Sequence, residues 1–222
     1  MQVDATHNPD HRHLRLWAEF LVLFLLTPVA MALFLPPTAM FPVLFASTLV
    51  GAILLHLTPG FRWRDLKRGW QQGDWRTVIA FALVTALLSW AVLMTVLPEA
   101  FLGIFQVSPW LWLAIMLLYP ILSALPQEVV FRPLFFRRYE PILPPARAGL
   151  ALNAALFSLA HLLYWNWIVA AMTFGGGLVF AWAYEVRGSF PLALALHAVA
   201  GNILFTIGMG VFFYSGNVVR PF

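Results

Sequence analysis

The chain has 222 residues, of which 62% are hydrophobic and only 10% charged, against roughly 45–50% and about 25% in an ordinary globular domain. Twenty-two charges cannot cover a water-soluble body of this size, so a soluble globular fold is excluded. The absence of cysteine removes disulfides, thiolate metal sites and a cysteine nucleophile together. The formal net charge of +4 does not indicate nucleic acid, because the basic residues lie in short loops between apolar runs, where membrane topology accounts for them.

Uncharged stretches run from Phe20 to Phe61, Thr77 to Pro98, Ala100 to Gln127, Ala148 to Tyr184 and Gly188 to Val219. Each is long enough for the roughly 20 apolar residues that cross a bilayer. None has the two-residue alternation of a barrel strand, and backbone groups in lipid must be bonded internally, so the expected fold is all-α, a polytopic transmembrane bundle.

In chain order, a polar N-terminus (residues 1–16), with His7, His11 and His13, precedes a first span predicted over Trp17 to Leu35. No small-residue cleavage site follows that span, which is read as a retained helix. Pro36 and Pro37 divide it from a second, Thr38 to Leu57, since proline ends a helix and restricts the residue before it. His56, near the end of that span, is an interface residue. Residues 61–76 mix Phe61, Trp63, Leu66, Trp70 and Trp75 with five basic residues, which suits either a helix lying against anionic headgroups or an ordinary basic loop. Further spans are expected over Thr77 to Leu97, Pro109 to Leu125, Ala148 to Tyr164, Trp167 to Tyr184 and Phe190 to Tyr214. The chain thus divides into N-terminal helices (17–108), a transmembrane core (109–214) and a short tail (215–222).

Seven spans with the N-terminus inside put eleven of the thirteen basic residues on the cytoplasmic side: Arg12, Arg15, Arg62, Arg64, Lys67, Arg68, Arg76, Arg137, Arg138, Arg147 and Arg187. Arg132 and Arg220 are the exceptions. An integral, multi-pass protein of a bacterial inner membrane is the expected localisation.

Ionisable groups at membrane depth are costly and mark function by default. Glu128, Arg132, His161 and His197 fall in or at the edge of the last four spans. Glu128 and Arg132 are spaced by four, on one helix face within ion-pair reach; neutralisation at the interface is the structural alternative. Asn153, Phe157 and His161 form one helical stripe, and His197 lies among small residues that allow close helix approach. One carboxylate and two imidazoles supply a base and donors for attack of water on an amide. The same three would also suit a zinc ion with an open position, although no HExxH pattern is present.

The segments Gln127-Glu128-Val129-Val130-Phe131-Arg132, Phe157-Ser158-Leu159-Ala160-His161 and His197 to Asn202 resemble, in order and separation, the three motifs of the CAAX-protease and bacteriocin-processing (CPBP, or Abi) family of intramembrane endopeptidases. Those patterns are Glu-Glu-x-x-x-Arg, Phe-x-x-x-His and His-x-x-x-Asn or Asp. The resemblance covers Pro109 to Tyr214. It implies a glutamate-dependent intramembrane protease, with no required cofactor, acting on a membrane-associated peptide or protein precursor within the bilayer. Carried over, Glu128 and His161 activate water, His197 and Asn202 stabilise the oxyanion, and Arg132 holds Glu128. Two positions depart from the pattern. Gln127 replaces the first glutamate and cannot act as a base, so it either orients water for Glu128 or marks a non-catalytic relative with an immunity or scaffolding role. Gly201 stands four residues after His197, with Asn202 one further on, about 140° away around an ideal helix. A transporter using Glu128 and the histidines as a proton relay is the third reading; no inverted repeat supports it.

Overall fold

The computed structural model describes residues 9–222 of the chain; residues 1–8, with His7, lie outside the described residues. Among the described residues, six helices are long and apolar enough to cross a membrane: α1 (His11–Leu33), α2 (Pro37–His56), α3 (Asp74–Val96), α4 (Pro109–Arg138), α6 (Trp167–Glu185) and α7 (Phe190–Ile207). A seventh apolar helix, α5 (Ala146–Leu159), is shorter. No strand occurs among the described residues, and the chain is a multi-pass helical membrane protein, as its composition requires.

Three expectations need correction. The fourth span does not stop at Leu125. It continues as a 30-residue helix to Arg138, so Glu128 and Arg132 lie inside it, about 15 Å and about 9 Å from its basic end. What carries the helix on is a change of pitch: wide, π-helical turns over Pro120–Ala124 and Val130–Arg138 take up Pro133, which cannot supply an amide hydrogen to a regular ladder. The fifth span ends at Leu159, followed by a single turn over Leu162–Tyr164. The last span ends at Ile207, where Gly208 turns the chain with φ 118°. Of the two readings of residues 61–76, the loop is the nearer: only Trp63–Lys67 is helical, a 3-10 turn pinned by Asp65 to Arg62 at 3.0 Å and to Arg68 at 3.1 Å.

The core is an aromatic seam between α1 and α4. Phe20 and Phe24, one turn apart, interleave with Phe131, Phe135 and Tyr139, at ring separations of 5.4 to 5.7 Å for Phe20–Phe135, Phe20–Tyr139, Phe24–Phe131 and Phe24–Phe135. Edge-to-face pairs of this kind add to the area they bury. On the other side of α4, α5 and α6 approach closely because Gly177 has no side chain; a Cβ there would lie 3.1 Å from Ala154 Cα.

The predicted basic loops gather at one end of the bundle. Arg138 bonds Glu19 at 2.6 and 2.9 Å and the Leu54 carbonyl at 2.9 Å, and Arg187 meets the fully buried Asp74 at 2.8 Å. Gly69 (φ 93°) abuts Gly188, whose carbonyl would be 2.2 Å from a Cβ at Gly69. At the opposite end the Leu102 amide bonds the Ile207 carbonyl at 2.9 Å, and Arg220 donates to Leu35 O at the end of α1, as a cation does at a helix C-terminus.

Candidate active site

The site is assembled on α4, α5 and α7. Spacing by one turn sets Glu128 and Arg132 on one face of α4, where Arg132 Nε donates to Glu128 Oε2 at 2.9 Å and Nη2 to Oε1 at 3.3 Å. Both side chains are wholly buried. A charge pair at this depth survives only if its remaining donors are also used, and they are. Arg132 Nη1 donates to Asn153 Oδ1, and the guanidinium carbon lies 5.3 Å and 5.8 Å from the ring centroids of Phe157 and Phe180. Asn153 is fixed in turn by donating to Phe131 O at 2.7 Å.

His197 on α7 completes the set. Its Nδ1 is 2.8 Å from Glu128 Oε1. A carboxylate only accepts, so Nδ1 is the donor, and in the neutral imidazole Nε2 is then the nitrogen that keeps its lone pair. The imidazole is held by stacking on Phe180 (4.8 Å, 10° between planes) and by the edge of Phe157 at 5.5 Å.

His161 follows α5, and its Nδ1 lies 2.8 Å from the carbonyl oxygen of Phe157. A carbonyl also only accepts, so here too Nε2 is the unprotonated nitrogen of the neutral ring. The predicted stripe therefore holds: Asn153 grips Arg132, Phe157 packs against the guanidinium and both imidazoles, and His161 closes the row, 4.9 Å from Phe157 between ring centres.

A cavity of about 1120 Å³, mostly apolar, opens on this cluster and is lined by Gln127, His161 and His197, with Tyr119, Ser123 and Gly201 beside them. The Gln127 amide donates to Ser123 Oγ at 2.9 Å. Glu128 is not among the lining residues. Its carboxylate sits behind His197 with both oxygens engaged.

Of the six residues singled out from sequence, the structure joins Glu128, Arg132 and His197 directly and brings Gln127 and His161 to the same cavity. Asn202 is apart. It faces a separate small cavity with Ala86 and Thr206, and its Nδ2 donates to Met116 O at 3.2 Å, as the extra residue between it and His197 would turn it. Asn153 and Tyr119 are the site residues that reading by motif passed over; Asn153 was at least visible as one of the few amides in an apolar run. The zinc arrangement would need Glu128, His161 and His197 about one ion. Among the described residues no three His, Asp or Glu side chains are so placed, and the Glu128 oxygens are already taken, so the residues do not fit that ion.

No curated protein and no solved structure matches the chain. Residues 108–204, the segment that carries Gln127, Glu128, Arg132, Asn153, His161 and His197, match the family model described as type II CAAX prenyl endopeptidase Rce1-like, which bears out the resemblance of the three motifs to the CAAX-protease family.

Proposed function

We propose that the chain is an intramembrane endopeptidase in which His197 is the general base and Glu128 its positioning partner, acting on a peptide bond of a membrane-associated peptide or precursor. The observation that carries this reading is the 2.8 Å contact between Glu128 Oε1 and His197 Nδ1, which leaves Nε2 as the acceptor on the cavity side. Water held there by Gln127 and His161 gives its proton to His197 Nε2 as its oxygen adds to the peptide carbonyl. The proton then passes from His197 to the leaving amine as the C–N bond breaks. Glu128 stays ionised, fixes the tautomer and stabilises the imidazolium; the same division of labour operates in carboxylate–histidine pairs of soluble hydrolases. Arg132 keeps the carboxylate neutralised in an apolar setting.

The cavity is lined by Met31, Met40, Ile104, Tyr164 and Tyr214, at the end of the bundle away from the basic loops, so the site works from the opposite half of the bilayer, the external half in the topology proposed from the charge distribution, and the membrane is a bacterial inner membrane. The substrate side is the apolar cavity, whose size suits an extended peptide with apolar side chains or a lipidated tail.

The test is cleavage of two quenched-fluorescence probes, a farnesylated CAAX-type peptide and an unmodified apolar peptide, by the full-length protein in lipid nanodiscs. The wild type should cut at least one, and His197→Ala should cut neither. A wild type inert on both, or a fully active His197→Ala, overturns the reading.

One observation favours a second reading. The side chain facing the cavity where the resembled motif has its first glutamate is Gln127, a group that cannot take a proton. A non-catalytic relative that binds membrane peptides without cutting them would retain the cavity, the Glu128–Arg132 pair and this glutamine.

A further inference from the structure

Gly201 stands one turn after His197 on α7 and faces the same cavity. The space its missing side chain leaves is filled from another helix. A Cβ built at Gly201 would lie 2.0 Å from Cε1, 2.2 Å from Cζ and 2.5 Å from Oη of Tyr119, so the hydroxyl end of the phenol occupies the volume a side chain at 201 would enter. The ring is set by His197, 6.1 Å away between centroids at 70°, and by Phe205 at 5.7 Å. Tyr119 Oη has no protein partner among the described residues and is not sealed off; it opens on the cavity beside the base.

A hydroxyl exposed to an apolar cavity without a partner is unfavourable, and for packing against Gly201 a phenylalanine would serve as well. We propose that Tyr119 Oη is the donor that stabilises the oxyanion of the hydrolysed peptide. When the water oxygen bonds to the carbonyl carbon, the π pair moves onto the carbonyl oxygen and the water proton goes to His197 Nε2. Tyr119 donates a hydrogen bond to that O⁻ and keeps its proton. As the carbonyl re-forms, the C–N bond breaks and His197 returns the proton to the amine. A phenol is a competent donor to a developing oxyanion in a low-dielectric site. This assignment rests on His197 as the base of a protease and supplies the donor that Asn202, turned to another cavity, does not.

The test uses the full-length protein in nanodiscs with whichever quenched peptide the wild type cuts. Tyr119→Phe removes the hydroxyl and keeps the ring, so its melting temperature and KM should match the wild type while kcat falls about 10²–10³-fold, the usual cost of one oxyanion donor. The paired variant Tyr119→Ala with Gly201→Asn puts an amide into the vacated space and should cut at least about tenfold faster than Tyr119→Ala alone. That comparison decides the matter if Tyr119→Phe fails to fold. Wild-type kcat in Tyr119→Phe, or a change confined to KM, overturns the assignment while an inert His197→Ala leaves the protease reading standing. A wild type inert on both probes overturns the two together.

Discussion

Arg132 and Asn153 hold one another across two helices: the guanidinium donates to the amide oxygen, and the amide nitrogen donates to the carbonyl of Phe131, the residue before Arg132. The contact locks the register of α4 against α5 and thereby the place of Glu128. Asn153→Ala removes a charged hydrogen bond, worth about 1.5–3 kcal/mol, and a neutral one, worth about 0.5–1.5 kcal/mol. Denaturant melts in detergent should register a loss of about 2–4 kcal/mol. A loss below about 1 kcal/mol would mean that water replaces the amide and that the register is set elsewhere.

Glu128→Gln preserves shape and should still abolish cleavage. Arg132 offers two donors to the group at 128, which claims the single oxygen of a glutamine and turns its NH2 toward His197 Nδ1. The imidazole then adopts the opposite tautomer, with Nε2 protonated and unable to accept. The expected fall in kcat is about 10⁴-fold, the size seen when a carboxylate that orients a catalytic histidine becomes an amide. Steady-state kinetics with unaltered rates would remove Glu128 from the mechanism.

Gln127→Glu adds a carboxylate on the cavity side, where the neutral amide now bonds Ser123. With a second base beside the water, kcat should rise by about tenfold, a small share of what a general base can contribute. Cleavage that appears only in this variant would identify the natural chain as the non-catalytic relative.

Glu19 and Arg138, 119 residues apart, tie the start of α1 to the end of α4 at 2.6 Å. Both side chains are largely buried, at 16% and 9% exposure, so their coupling should exceed the 0.2–1 kcal/mol of a surface pair. A double-mutant cycle of Glu19→Gln and Arg138→Gln should return about 1–3 kcal/mol.

The alternation of basic and non-basic ends is tested by reporter fusions. Those after Arg68 and Arg138 should read as cytoplasmic and those after Phe105 and Tyr214 as external. An internal C-terminus would require one crossing fewer or more.

The apolar runs made the bundle legible because membrane helices are specified by length and hydropathy, which sequence carries directly. The end of α4 was not, since Pro133 and Arg137-Arg138 are ordinary stop signals; only the π-helical turns let the helix pass through them. Glu128, Arg132, His161 and His197 were visible as charges out of place in an apolar chain. Tyr119 was invisible for the opposite reason: an aromatic in an apolar run carries no signal until the helix bearing Gly201 is laid against it. The placement of Asn202 at a separate cavity likewise depends on how α7 turns beyond His197.

The length of α5 has a consequence for the membrane itself. Fourteen residues make a rod of about 21 Å, some 9 Å short of the ~30 Å hydrocarbon core that the other spans reach or nearly reach. Local thinning of the lipid is one way a bilayer meets so short a helix, and the shortfall falls where His161 leaves the helix end. Thinning at that point lowers the barrier for headgroup water to enter and for a substrate's polar backbone to leave the acyl phase. Turnover should therefore slow as the acyl chains of the host bilayer lengthen, making bilayer thickness a rate-controlling variable for this chain.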